Sequence, residues 1–336
     1  MEKIRNILAE ICNKTKGSFI YPIAEANYTF FFAQNHSASR CYIRKNTDIK
    51  RSMSMVILAL FPMLLFSFFN VGSQINSSSV FFTLPNIIAG IKQVLPIVIV
   101  SYVVGGVWEV LFAIVRKKTI NEGFLVTGLL FPLILPPTID LRLVALGISF
   151  GVIFGKEIFG GTGKNLFNPA LLGRLFLFIS YPMSMTGDVW FANTNAVDGV
   201  TTATPLYLLK TGRMADIDIF TIFTGNYPGS IGETSSFLII LSGLLLVLTR
   251  VASWRIIISA FLSLSLFSAL FSIIEFGHFN KTFLICNLFA GGVLFATFFM
   301  LTDPVTAPRT QFGKFIYGVL FGFLVIMFRI YNSAYQ

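Results

Sequence analysis

The residues most open to chemistry lie in one short segment, Asp198-Gly199-Val200-Thr201-Thr202-Ala203-Thr204-Pro205-Leu206, where three threonine hydroxyls sit among small side chains that leave room for a close approach. Taken bare, such a cluster reads more readily as a turn held by local side-chain to backbone hydrogen bonds. Glu109 is a second candidate. It ends the stretch Gly105-Gly106-Val107-Trp108-Glu109 inside an otherwise apolar run, where an ionised carboxylate needs water, a cation or a partner. Two readings stand, a functional carboxylate and one near the end of its run that turns toward water. Arg174 poses a similar choice between pairing with an acid and extending its head to water.

Other motifs reduce to structure. The run Gly160-Gly161-Thr162-Gly163-Lys164 suggests a phosphate loop, but the Walker pattern needs a glycine where Ile158 stands and Ser or Thr where Asn165 stands. The glycines instead predict a tight connection, and Asn168-Pro169 predicts a helix start with an asparagine cap and proline in the first turn. Thr302-Asp303-Pro304 has the same grammar. Cys12, Cys41 and Cys286 are too scattered for a disulfide framework or a cysteine metal motif. His36 and His278 lack a neighbouring nucleophile or ligand pattern, so no metal site is expected.

The elements that must position these residues are set by composition. With 55% hydrophobic and 12% charged residues and a mean hydropathy of +0.77, the chain is far more apolar than a soluble domain. A transmembrane helix needs about 20 apolar residues, and nine runs qualify as candidates. Met53 to Val71, Gln93 to Val115, Ile256 to Ile274 and Thr282 to Thr302 are the clearest. Gly123 to Ile139, Leu143 to Phe159, Leu166 to Pro182, Thr234 to Thr249 and Phe315 to Phe328 are shorter or broken by proline or charge. The runs are continuous, unlike the short alternating segments of a β-barrel, so the expected fold is all-α, a polytopic transmembrane helical bundle of about nine spans.

Four segments follow: a leader over 1–52, about five spans over 53–182, an outer loop over 183–233, and about four spans over 234–336. The leader places Ile4, Ile7, Leu8 and Ile11 on one helical face, which suits a helix lying on the membrane or a partner. No cleavable signal peptide is visible. With a cytoplasmic amino terminus, eighteen of the 25 Lys and Arg residues fall on the inner side: nine before the first span, then Arg116, Lys117, Lys118, Lys156, Lys164, Arg250, Arg255, Arg309 and Lys314. That asymmetry orients the chain and accounts for the net charge of +10 without a nucleic-acid partner. The outer loop carries Asp188, Asp198, Asp216, Asp218 and Glu233, and no clear secondary structure of its own. Loops of that length are usually functional or disordered, and Trp190, Phe191, Tyr207 and Tyr227 argue for order.

Asp198 to Leu206 resembles the flavinylation motif of a family that comprises the B subunits of sodium-translocating NADH:quinone oxidoreductases and the D subunits of the related ferredoxin-coupled (Rnf) complexes. Three further stretches carry the resemblance: Gly155-Lys156-Glu157-Ile158-Phe159-Gly160-Gly161-Thr162-Gly163-Lys164-Asn165-Leu166-Phe167-Asn168-Pro169-Ala170, Asn226-Tyr227-Pro228-Gly229-Ser230-Ile231-Gly232-Glu233, and Thr302-Asp303-Pro304-Val305-Thr306-Ala307. Similarity runs from about Tyr21 to Tyr335. The Trp108-Glu109-Val110-Leu111-Phe112 segment and the long basic leader favour the sodium-translocating side of the family.

The resemblance implies a bacterial inner-membrane subunit that works with the other subunits of its complex. Covalent FMN is expected as a phosphoester on Thr204, added by a separate flavinyltransferase, with Asp198 assisting attachment and Arg174 open to a flavin phosphate. Thr202 stands where glycine is common. The resemblance also implies a riboflavin, membrane lipid contact, and electron flow from NADH toward ubiquinone or menaquinone coupled to sodium export. Glu109 then becomes a candidate for cation or quinone coupling, with Gly105 and Gly106 in the quinone region. The family has a tenth span, so a truncated, inactive subunit is one alternative. The Rnf D subunit and a non-redox secondary transporter are the others.

Overall fold

The computed structural model describes residues 9–15, 28, 49–76, 83–117, 123–190, 204–211, 213 and 217–331, and every regular element among them is helical. The first half contains α1 (Ile49–Ile75), α2 (Leu84–Arg116), α3 (Gly123–Leu133), α4 (Leu141–Val152) and α5 (Pro169–Ser180). After α4 the chain continues through a π-helical turn over Ile153–Glu157. Two short helices, α6 (Pro205–Lys210) and α7 (Ile219–Thr224), lead to α8 (Ser236–Leu248). Then come α9 (Trp254–Phe276), α10 (Lys281–Phe289), α11 (Val293–Phe295) with a π-helical turn over Ala296–Met300, and α12 (Gln311–Tyr331).

Each of the nine apolar runs contains a helix, yet not all are spans of the expected kind. Among the described residues four helices are long and apolar enough to cross a bilayer, and α10 with the stretch Val293–Met300 makes a bent pair, broken by 53°, that is a fifth span if the two pieces are taken as one and otherwise a re-entrant loop. The run Thr282 to Thr302 is therefore not continuous: Ala290 is extended and Gly291 and Gly292 both take φ of 72°. Helices α3, α5 and α8 have 11, 12 and 13 residues, well short of a bilayer. Hydropathy alone counts such a run as a span because it does not register where the helix stops.

The helix that carries the first span begins at Ile49, with its membrane-crossing stretch from Ser52. One further expectation is corrected. The loop over 183–233 holds α6, α7 and a 3-10 turn over Gly187–Trp190. Of the amphipathic leader only 9–15 is described, and residues 9–14 are helical. Ile4, Ile7 and Leu8 lie outside the described residues, as do Cys41, His36 and Asp198.

The short helices survive because their broken ends meet. The carbonyls of Leu133, the last residue of α3, and of Leu135 just beyond it, both fully buried, lie outside the helical ladder and cannot go unpaired in an apolar setting. The stretch before α8 answers them: Gly232 N donates to Leu133 O at 2.7 Å and Ile231 N to Leu135 O at 3.1 Å. Asn70 of α1 ties this junction down, its Nδ2 donating to Thr234 Oγ1 at 3.1 Å.

Small residues draw the long helices together until backbones touch. A Cβ at Gly72 would overlap the Asn86 carbonyl and one at Gly90 the Phe68 carbonyl, locking α1 against α2. In α12, Gly318 and Gly322 face Ser259 and Ser263 of α9, and Ser263 Oγ donates to Val319 O at 2.7 Å. Such close approach is how helices associate where burial of apolar surface offers no gain over lipid.

Substituting Gly318→Val forces a side chain into Ser259 and the Ile256 carbonyl. We expect a loss of about 1–3 kcal/mol or more, as for overpacked cores, read as a lower unfolding midpoint in detergent. An unchanged midpoint would show that α9 and α12 are not held at this distance.

Candidate functional site

The fold leaves a cavity at each end of the bundle. One end carries Arg116, Lys156 and Arg250 and is called the basic end; the other, reached by the stretches around α6 and α7, is the loop end.

The loop-end cavity has an empty volume of about 460 Å³, part of it open to solvent, and Arg174, Trp190, Thr204, Tyr227, Glu233 and Gly291 are among its walls. Thr204 is there because it caps α6: Pro205 opens the helix and Thr204 Oγ1 accepts from Tyr207 N at 3.3 Å. Arg174 projects from α5, and Nη1 reaches Glu233 Oε1 at 3.5 Å. Its guanidinium also lies 5.8 Å from the centre of the Trp190 ring. The choice left open for Arg174 thus resolves toward an acid, inside the protein.

Glu233 accepts a short hydrogen bond from Ser230 Oγ as well. Burial pushes its carboxyl pKa up, opposed by the Arg174 cation and the Ser230 bond. Two polar atoms of this cavity are buried without a partner, Trp190 Nε1 and Tyr227 Oη. Since buried polar groups in native proteins are nearly always hydrogen-bonded, these mark a place where a ligand with polar edges fits. In the sequence Trp190 registers only as a sign of order, and Tyr227 and Glu233 fall within the resembling stretch Asn226 to Glu233 without a role assigned to either. The signal that singles them out is spatial.

The basic-end cavity, of about 640 Å³ empty volume, is walled by Gly123, Thr127, Lys156, Thr162, Asn168 and Asp303 among others. Its floor is the glycine-rich connection, where Gly160, Gly161 and Gly163 take φ of 115°, 94° and 89°, the left-handed region that favours glycine. Asn168 caps α5 as expected, its side chain accepting from Ala170 N at 3.0 Å. Asp303 departs from expectation. It accepts from Val305 N and Thr306 Oγ1, but it opens a single turn closed by Ala307 N to Asp303 O, and no helix follows until Gln311. Pro308 stops the continuation. Burial raises the Asp303 carboxyl pKa against those hydrogen bonds. The Thr162 hydroxyl is buried here with no partner.

Beside this cavity Glu109 finds its partner. Lys156 Nζ lies 2.6 Å from Glu109 Oε2 and 4.0 Å from Glu157 Oε1, while Arg116 Nη1 lies 3.2 Å from Glu157 Oε2. The π-helical turn explains the cluster. An α-helix separates neighbouring side chains by about 100°, but the wider turn re-aims the backbone so that Lys156 and Glu157 are both buried, at 2% and 4% exposure. Gly105 lets α2 seat against the Phe124 ring, which a Cβ would strike. Gly106 is half-buried and meets that ring only at ordinary contact distance. Among the described residues no group of three or more His, Cys, Asp and Glu could hold a metal ion.

The family described as NQR2, RnfD, RnfE matches residues 36–336. The chain is 42% identical to the B subunit of the Na(+)-translocating NADH-quinone reductase of Ectopseudomonas mendocina, over 94% of this chain and 86% of that protein. Proteins of the same name from Pseudomonas aeruginosa and Klebsiella pneumoniae are 40% and 39% identical, with 94% of this chain and 86% of the relative covered in each case.

Removing one member of a buried ion pair strands the other, at a cost of about 3–5 kcal/mol. Lys156→Met should therefore destabilise the protein by that order in urea or SDS unfolding, and adding Glu109→Gln should restore most of the loss. A double variant no more stable than the single would show that Glu109 is not the charge Lys156 compensates.

Proposed function

The chain belongs to the NQR2, RnfD and RnfE family, and from that membership we propose that it is the B subunit of a sodium-translocating NADH:quinone oxidoreductase, carrying FMN as a phosphoester on Thr204. The supporting observation is that Thr204 borders the same cavity as Arg174 and the two unpartnered polar atoms of Trp190 and Tyr227. These residues fit a phosphorylated aromatic ligand. Arg174 supplies a cation beside the attachment point, already partly balanced by Glu233, and Trp190 Nε1 and Tyr227 Oη supply hydrogen bonds to ring heteroatoms. Asp198, outside the described residues, is proposed to assist the flavinyltransferase.

Bound FMN would supply the ability to accept electrons from partner subunits and release them toward quinone. The chain's own task is to hold that group against the bilayer, exclude water, and keep a cation route closed except when charge is moved. Glu109 is suited to the last role because Lys156 neutralises it: a sodium ion can bind the carboxylate only as the ammonium withdraws. Gly105 and Gly106 adjoin this cluster and are the proposed quinone region. For the riboflavin expected of the family we assign the basic-end cavity, with the Thr162 hydroxyl and the Asn165 and Asn168 amides at its wall.

The energetics are compatible. Moving one charge across 100 mV takes about 2.3 kcal/mol, while a two-electron drop releases about 1.4 kcal/mol per 30 mV. The distribution of basic residues supports an inner-membrane orientation with the basic end toward the cytoplasm and Thr204 outside. The Rnf D subunit is the nearest alternative, and the relatives' names favour the sodium-translocating complex.

In-gel ultraviolet fluorescence of the denatured protein, coexpressed with its flavinyltransferase, tests the attachment. Wild type and Thr204→Ser should glow, and Thr204→Ala should be dark. A dark wild-type band with the transferase active on a control substrate would leave the secondary-transporter reading in its place.

A further inference from the structure

The break between α10 and α11 leaves the last carbonyls of α10 without helical partners, as at any helix end. A single side chain from α12 takes up one of them, Asn287 O, together with the carbonyls of Ala290 and Gly291 in the break. Arg329 Nη1 donates to Asn287 O at 2.8 Å and to Asn287 Oδ1 at 3.1 Å, and Nη2 donates to Ala290 O at 2.7 Å and Gly291 O at 3.5 Å. Asn287 extends the clamp to α9, its Nδ2 donating to Ser268 Oγ at 3.2 Å. The elbow is thus fastened to the α9–α12 pair by a cation fitted to carbonyl oxygens at the end of a half-helix.

The elbow itself has no side chains: Gly291 and Gly292 line the loop-end cavity, and Arg329 Nη2 lies beside the Cβ position of Gly291. Leu206 of α6 packs where a Cβ of Gly291 would stand, and the Glu233 carboxyl packs where a Cβ of Gly292 would stand. The elbow therefore seats the helix that Thr204 caps, and it also seats the acid that holds Arg174.

We propose that Arg329 is a positioning residue for the flavin on Thr204: by clamping the carbonyls of Asn287, Ala290 and Gly291 it fixes the glycine elbow on which α6 and Glu233 rest. This rests on the Thr204 attachment. The guanidinium bonds to Gly291 O of the cavity wall but makes no hydrogen bond to Thr204, Trp190 Nε1 or Tyr227 Oη, so its hold on Thr204 passes through the backbone of Gly291 and Gly292. Lysine keeps the charge but loses the planar fork that reaches several oxygens together. It should serve in part.

The test uses the full chain coexpressed with its flavinyltransferase, in wild-type, Arg329→Gln, Arg329→Lys, Leu206→Ala and Thr204→Ala forms. Covalent flavin per chain is read by in-gel fluorescence, and the exposure of that flavin in the native protein by iodide quenching. Arg329→Gln should lose most of the covalent flavin and show severalfold stronger quenching of what remains, with Arg329→Lys intermediate. Leu206→Ala loosens the seat of α6 without touching the clamp. It should raise quenching in the same direction, and it decides the matter if Arg329→Gln fails to accumulate. Wild-type flavin yield and quenching in Arg329→Gln, or in Leu206→Ala when Arg329→Gln is not obtained, overturns the inference while the Thr204 reading stands. A dark wild type, or fluorescence surviving in Thr204→Ala, overturns the attachment reading and the inference with it.

Discussion

In a bilayer no water is available to a backbone amide, so every place where a helix stops inside the apolar body must be matched by another part of the protein. The architecture answers that constraint at each interruption. The carbonyls freed after α3 are met by Ile231 and Gly232, and those freed after α10 are met by Arg329. The loop-end cavity borders the second of these interruptions, at Gly291 and Gly292. Irregular backbone, positive φ and short helices are what make room for ligands in an otherwise close-packed set of spans, and the matching bonds are what keep that room a fixed shape.

The same economy governs charge. Each of four cations described inside the body faces an anion or a set of carbonyls: Lys156 with Glu109, Arg116 with Glu157, Arg174 with Glu233, Arg329 with the end of α10. The two ends differ in how tightly the pair is made. At the loop end, the Arg174 pair is loose, at 3.5 Å, and the guanidinium also leans on Trp190. At the basic end, Lys156 and Glu109 are in tight contact.

Much of this was legible in the residues, unevenly and for physical reasons. Caps and tight turns are local, so Asn168 and the glycines after Phe159 were readable from a few positions. Glu109 announced its need for a partner through its setting, but Lys156 lies 47 residues away and faces inward only because of the π-helical turn, which no periodicity of 3.6 reveals. Hydropathy located all nine apolar runs and flagged Gly123 to Ile139, Leu166 to Pro182 and Thr234 to Thr249 as short or broken, but it averaged over Gly291-Gly292 and so read Thr282 to Thr302 as continuous. Thr204 was visible only through resemblance. A threonine capping a helix looks the same whether or not its hydroxyl is also an attachment point, and Arg174, Trp190, Tyr227 and Glu233 meet it from separate stretches of chain.

The mutual bonding of the stretches after α3 and before α8 bears on how the chain is made. Residues are delivered in order, amino terminus first, yet the junction at Leu133 to Leu135 is completed by residues synthesised much later, and Asn70 waits for a hydroxyl 164 positions downstream. Contacts of that sequence separation are slow to form. Until they do, α3 is an 11-residue helix with an open end and too little length to rest across a bilayer. The first five helices would then emerge from the ribosome as an unfinished assembly, dependent on the insertion machinery or a partner protein to shelter α3 until α8 arrives, and any modification at Thr204 would follow that closure.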